Sequence, residues 1–194
     1  MLTAQEINHV EELLVKFEPR IRKIQCAIGK NDPFEIVDSS QLFKRYSKIY
    51  FYNLYELSDF KDITRISTVK VKWVVREDKN FKEHYDIQLI GVKKLDKDYG
   101  HLMIRPETLE DKIWELFKRT EIDYKEFPKF SYRYFYTANN ELLANHFATS
   151  DRVKQIEKQK EILIEVNSDI LIAKYLRKIN HADMESMIEF LANV

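Results

Sequence analysis

Residues 65–76, RISTVKVKWVVR, carry Val69, Val71, Trp73 and Val75 at alternate positions, with Thr68, Lys70 and Lys72 between them. A period of two sends these two sets to opposite faces of a strand, one for a core and one for water; a helix would scatter both. After a polar turn at residues 77–82, the run 85–92 returns with Tyr85, Ile87 and Leu89 on one face. The two runs predict an antiparallel hairpin with a longer loop.

Other segments extend this frame. Residues 48–57 are aromatic and β-prone, residues 34–37 read as a short strand, and residues 93–100 as a charged, mobile loop leading to a strand at 101–105. Pro106 precedes a helical pattern at Leu109, Ile113, Leu116 and Phe117. Residues 130–137 alternate as a strand, and Asn139-Asn140 marks a turn able to cap a helix lined by Leu142, Leu143, His146 and Phe147. A charged helix follows at 149–160, then a hairpin of 161–166 and 170–176 across Asn167-Ser168-Asp169. The last helix, 182–193, presents Met184, Met187, Ile188 and Leu191 on one face. At the start, Ile7, Val10, Leu14, Phe17, Ile21, Ile24 and Ile28 are spaced 3, 4, 3, 4, 3, 4, which predicts an amphipathic helix over 3–28, kinked at Pro19. The expected fold is α+β: a mainly antiparallel sheet with helices packed on one face, preceded by that N-terminal helix. Residues 1–47 read as helix and connector, and 48–194 as the α+β domain.

Composition narrows function more by exclusion than by signal. The 194 residues hold 32 basic and 32 acidic side chains, evenly spread, so nothing suggests the electrostatic footprint of a nucleic-acid or anionic-membrane binder. Three glycines preclude a Gly-rich phosphate loop or dinucleotide fingerprint, and Cys26 is the lone cysteine. No basic-then-apolar leader opens the sequence and no run nears the roughly 20 apolar residues of a membrane span, so a cytoplasmic location is expected. Neither a cofactor nor a metal is expected.

Candidate chemistry is sparse. His84 and Asp86 share a strand face and could bind a divalent metal or exchange protons, though a solvated strand face is the commoner meaning of such a pair. Arg105 and Glu107 flank Pro106; they could hold an anion and supply a base, or simply anchor a strand end and helix start. Glu121, Asp123 and Glu126 are carboxylates without a visible partner set. No Gly-x-Ser-x-Gly elbow exists for a serine nucleophile. Phe130, Tyr132, Tyr134 and Tyr136 alternate against Ser131, Arg133 and Phe135, which suits a core strand, a protein interface or base stacking.

Ile104-Arg105-Pro106-Glu107, Ile122-Asp123-Tyr124, Phe127-Pro128-Lys129-Phe130 and Arg133-Tyr134-Phe135 together resemble a family of uncharacterised bacterial proteins with an LRPE…IDF…HPEFSRRF-like pattern. The likeness spans roughly residues 48–193; the LFTP-like position, His146-Phe147-Ala148-Thr149, lacks the proline. A weaker similarity is to a domain of unknown function in bacterial proteins with membrane helices. The resemblance implies a shared α+β fold and no assigned activity. Its motif residues, Arg105, Pro106, Glu107, Asp123, Pro128, Phe130, Arg133 and Phe135, are expected to be structural.

Two functions stand open. The first is a non-enzymatic binding or protein-interaction module, its partner surface formed by Tyr132, Tyr134 and Tyr136 or by the seam of Ile7, Leu14 and Ile21, with a protein partner or a second copy as occupant. The second is a small hydrolase or ligand-processing enzyme with a site near His101, Arg105 and Glu107. Nucleic acid is the disfavoured partner.

Overall fold

The computed structural model describes residues 8, 12, 20–24, 36–37, 39–57, 62–77, 80–108, 122, 126–159, 161–176 and 180–194. Eight strands form one sheet: β1 (Ile21–Ile24), β2 (Lys48–Leu57), β3 (Thr64–Glu77), β4 (Asn80–Lys94), β5 (His101–Pro106), β6 (Tyr134–Ala138), β7 (Ile162–Asn167) and β8 (Ile170–Tyr175). Their order is β1-β2-β3-β4-β8-β7-β5-β6, and every neighbouring pair is antiparallel. The last hairpin, β7–β8, is thus inserted between β4 and β5, which adjoin in sequence.

The expectation of an α+β sandwich with an amphipathic N-terminal helix is overturned. Among the described residues the sheet dominates, the helices are few and mostly short, and Ile21–Ile24 pairs with β2 as an edge strand where the heptad pattern predicts a helical seam. Heptad spacing and an edge strand with alternating side chains both bury Ile21, so the apolar pattern alone does not separate them. Ile7 and Leu14, the other seam residues singled out, lie outside the described residues, as does the helix expected after Pro106.

Both sheet faces are covered. One carries the larger core, closed by α1 (Pro128–Arg133), α2 (Glu141–Phe147), α3 (Ser150–Lys158) and α4 (His181–Asn193). The other carries Val69, Val71, Ile90, Val92, Ile170 and Ile172 beneath Val37, Leu42 and Phe43 of the segment 36–47, which includes a 3-10 turn at Gln41–Phe43. Of the short strand expected at 34–37, Ile36 and Val37 have 3-10 geometry in this covering segment, and the first two residues lie outside the described residues.

Local chemistry explains the helices. Pro128 begins α1, where its missing N–H costs nothing, and Ser131 N bonds Phe127 O. The expected strand at 130–137 thus begins only at Tyr134. Phe130 and Tyr134 are four apart and stacked, 5.5 Å between centroids, so a spacing that also fits period two belongs here to a helical turn entering a strand. Asn140 caps α2 by accepting from Leu142 N and Leu143 N, and Thr149 caps α3 by accepting from Arg152 N. On α4, Met184, Met187, Ile188 and Leu191 are all buried. Lys93 Nζ donates to Leu191 O and Val194 O, satisfying carbonyls at the end of that helix.

The charged 93–100 connector is tied down, contrary to expectation. Leu95 N bonds Asp169 O, Tyr99 N bonds Ser168 O, and Tyr99 OH joins Asp96 and Arg152. Lys94, Asp96, Lys97 and Asp98 face water while Leu95 and Tyr99 enter the core, a split that composition hides.

Gly91 lets α4 lie against β4. A Cβ there would stand 2.7 Å from Leu191 Cδ1 and 2.8 Å from Met187 Sδ. Gly91→Val should therefore overpack this contact and lower stability by about 1–3 kcal/mol, measured as a fall in the urea midpoint at constant m.

Candidate functional site

Two regions combine chemistry with an unusual placement. The first is a buried polar row on the face covered by 36–47. β7 and β8 are buried strands, yet each carries a charge among apolar neighbours: Glu165 in ILIEVN and Lys174 in ILIAKY. Their positions follow from period two, because Leu163 and Glu165 share a face with Ile170, Ile172 and Lys174.

Glu165 holds the start of the covering segment. Its Oε2 accepts from Ser40 Oγ at 2.6 Å and from Leu42 N at 3.1 Å, while its Oε1 lies 3.1 Å from His101 Nε2. Ser40 Oγ also accepts from Leu42 N, capping the 3-10 turn. Lys174 holds the other end. Its Nζ donates to Gln88 Oε1 at 3.2 Å and Tyr46 OH at 3.3 Å, between the rings of Phe43 and Tyr46, 4.6 and 4.7 Å from their centroids. Tyr46 OH also accepts from Gln88 Nε2 and from Arg45 Nη2. Burial pushes the Lys174 amine down to about 7; Arg45 adds to that and Asp86 opposes it.

An amine poised near neutrality is a familiar nucleophile or base. Here the side chain is 2% exposed and its neighbours are a phenol, an amide and two aromatic rings, so it acts as an anchor for the segment above it. Glu165 and Lys174 do not announce themselves by motif. Their only sequence signal is a single charge in the middle of a short apolar strand, which costs stability unless it is paired.

The second region is the β3–β4 ribbon. β2 pairs with β3 only as far as Lys72, opposite Lys48, and β8 pairs with β4 only from Ile90. Residues 73–77 and 80–84 thus form a two-stranded arm with no further described strand on either side, and residues 85–89 lack one on their outer edge alone. One face bears Val74, Phe81, Glu83 and Tyr85, the other Trp73, Val75, Lys82, His84 and Asp86. Val74, Val75, Phe81 and Tyr85 are exposed, Phe81 by 72%. The arm is stiffened from both sides. Lys72 bonds Glu83, Tyr85 OH donates to Glu83 Oε2 at 2.7 Å, and Lys70 lies over the Tyr85 ring. Trp73 stacks on His84 at 5.5 Å, and Tyr46 meets Trp73 edge-on. The bond to Glu83 raises the Lys72 ammonium and the Tyr85 phenol above their usual ranges, and the bond to Lys72 lowers the Glu83 carboxyl.

The remaining candidates are dispersed. Tyr134 and Tyr136 are fully buried: Tyr134 OH donates to Gln159 O and Ile156 O at the end of α3, and Tyr136 OH donates to Ala144 O in α2. Desolvation carries the Tyr134 phenol up to about 12. Of the three tyrosines only Tyr132 is exposed, and it stands on α1. Ile21 packs against the larger core. Arg133 donates to Glu157 O and Gln159 O, and Phe130 is a core residue stacked with Tyr134. Arg105 lies over the Phe135 ring at 4.4 Å, opposite it in the β5–β6 pair, and Pro106 faces Tyr134. Glu107 N donates to Arg133 O just past the strand. Pro128 opens α1, and Asp123 lies outside the described residues. His101 and Arg105 share a face of β5 but stand four residues apart, roughly 13 Å along an extended strand. His84 stacks on Trp73, its Nε2 buried without a hydrogen-bond partner among the described residues. Asp86 accepts from Ile87 N.

The buried row yields two predictions. Glu165→Ala leaves Ser40 Oγ without its acceptor and removes one of the two acceptors of Leu42 N; it should cost about 1.5–3 kcal/mol and accelerate amide exchange at residues 40–46. For Lys174, the folded pKa near 7 lies below the unfolded value of about 10.4. Between them the unfolded chain binds the extra proton, so this group's contribution to stability grows as pH rises from 7 and is lost as pH falls back through 7. Urea titrations at pH 7.5 and 9.5 should show that gain in the wild type and a flatter profile in Lys174→Met.

Among the described residues no cluster of three or more His, Cys, Asp or Glu is arranged to hold a metal ion, and no helix is long and apolar enough to cross a membrane. No family model, curated protein or solved structure matches this chain.

Proposed function

We propose that the chain is a soluble, cytoplasmic, non-enzymatic protein-interaction module whose partner docks on the β3–β4 arm. The observation that carries this reading is the exposure of Val74, Val75, Phe81 and Tyr85 on a stiff ribbon that outruns both neighbouring strands. Aromatic and aliphatic side chains held rigidly at a protruding site lose little entropy on docking, which is what an interface anchor requires. The partner surface is thereby moved from Tyr132–Tyr136 and the N-terminal seam to a hairpin that is legible in the sequence as structure only.

The enzyme reading finds less support. His101 is engaged with Glu165 and Arg105 with Phe135, so the site near His101, Arg105 and Glu107 has two of its three members committed to separate neighbours. The zero net charge keeps nucleic acid behind a protein partner. The family resemblance of the LRPE-like and PEFSRRF-like segments remains part of the proposal as a shared fold without an activity.

Native mass spectrometry of the chain purified gently from its own cells tests the reading. We expect a protein complex, present for wild type and lost for Phe81→Asp at unchanged thermal midpoint. A wild-type monomer that instead carries a small-molecule adduct would sink the interaction module and favour the ligand-processing alternative.

A further inference from the structure

A buried lysine ordinarily has a carboxylate against it. Lys174 has none within bonding distance among the described residues. Its Nζ meets Gln88 Oε1, Tyr46 OH and the faces of the Phe43 and Tyr46 rings, all of them uncharged. The charges packed around it do not make good the deficit. On the covering segment Arg45 is a like charge, bonded through Nη2 to the same Tyr46 hydroxyl. On β4, Asp86 favours the ammonium, yet its carboxylate accepts from Ile87 N and lies 3.5 Å from Gln88 Nε2, while His84 is stacked on Trp73. On β7, Glu165 is engaged by Ser40, Leu42 and His101.

The covering segment is fixed at two places with a turn between them. Glu165 holds Ser40 and Leu42 at one. At the other, Ser47 N and Oγ both donate to Lys72 O, at 2.7 and 3.1 Å. Residues 43–46 form the turn, closed by Tyr46 N donating to Phe43 O at 2.9 Å. Among the described residues their side-chain hydrogen bonds to the sheet all run through Tyr46 OH, to Lys174 and Gln88.

We propose that residues 43–46 are a proton-gated flap: uptake of a proton by Lys174 lifts them between the two fixed ends and admits water to the sheet around Lys174 and Trp73. A cation buried without an anionic partner favours whichever arrangement hydrates it. Lifting the flap is the smallest movement that does so, because the other neighbours of Nζ belong to the sheet. The two rings return part of the lost hydration and Arg45 opposes it, so the closed flap still holds the proton less tightly than the open one. Without that proton the contacts are complete. Arg45 and Gln88 donate to the Tyr46 oxygen, its O–H donates to the free lone pair of Nζ, and Nζ donates to Gln88 Oε1. Tyr46, Lys174 and Gln88 then close a ring of hydrogen bonds that holds the flap down.

The direction of the response follows from the two proton affinities. Under the closed flap the amine has a pKa of about 7, and in water it returns to about 10.4. Opening therefore grows as pH falls toward 7 and levels off below it. This is a local event, distinct from the effect of Lys174 on whole-chain stability.

Hydrogen exchange at the Tyr46 amide tests the proposal, since its bond to Phe43 O lies within the flap. With intrinsic rates divided out, its opening constant in wild type should rise on the order of tenfold from pH 8.5 to pH 7 and change little more by pH 6. Leu42 N, held by Glu165 outside the flap, should not follow. Low urea should leave the Tyr46 rate unchanged, because a lifted flap exposes little surface. Lys174→Met should abolish the pH dependence. Arg45→Gln, at an exposed position, removes the like charge and should move the levelling point to higher pH. That second variant decides the matter if Lys174→Met does not fold. A Tyr46 opening constant flat across this range in wild type overturns the flap. So does a slope that persists in Lys174→Met, a rate that climbs with urea as whole-chain unfolding does, or a levelling point unmoved in Arg45→Gln.

Discussion

Backbone pairing of the β7–β8 hairpin with β4 on one side and β5 on the other holds this molecule together. β4 and β5 are consecutive in the chain but never neighbours in the sheet, and the hairpin between them arrives some sixty residues later. Once it is seated, β8 continues the sheet of β1–β4 and β7 continues that of β5 and β6. The helices then close one face, because Tyr134 and Tyr136 on β6 reach the carbonyls of α2 and α3 and Gly91 on β4 admits α4. A long-range insertion of this kind has a high loop-closure cost that only the completed sheet offsets.

The same hairpin supplies the two buried charges. Glu165 and Lys174 sit on adjacent strands under a segment that has little regular structure of its own, and they convert it into a cover for the second sheet face. A purely apolar face would bury the segment 36–47 in any of several positions. Directional bonds to Ser40, Leu42 and Tyr46 select one, which is the use to which buried polar groups are best suited when every member has a partner. The arm of β3 and β4 stands at the opposite extreme. It is held by surface ion pairs and ring stacking, lacks described flanking strands, and leaves apolar side chains in water. Contrast between a fully covered sheet centre and an uncovered ribbon at its margin is the structural basis for reading the protein as something that docks.

Much of the sheet is readable from local pattern. β2 spans the residues that aromatic and β-branched content marks, the β7–β8 hairpin falls where alternation and its polar turn place it, and the Asn140 and Thr149 caps lie where the chain offers the right side chains. β3 and β4 form the expected hairpin, but pairing continues to Glu77 opposite Asn80 where the polar residues 77–82 predict a longer loop. Local pattern fails where two periods coincide. Phe130, Tyr132, Tyr134 and Tyr136 fit a strand, yet Pro128 starts a helical turn and the first spacing of four is helical. Ile21 fits a heptad, yet it lies opposite Leu57 in a strand pair. Of the candidate site, the hairpin is visible in the sequence but its projection as an arm is not, since its exposure depends on where β2 and β8 stop.

Residue types and their spacing along the chain establish which stretches alternate, where helices can begin, and that no cysteine pair, phosphate loop or serine elbow exists. Tertiary pairing alone brings Glu165 to Ser40 and His101, sets Lys174 between Phe43 and Tyr46, makes Tyr134 and Tyr136 core, and leaves the outer edge of β4 over residues 80–89 with no described strand beside it. Those outcomes depend on strand order, and strand order is set by the competition of non-local pairings for a common core, a quantity that no short window of sequence contains.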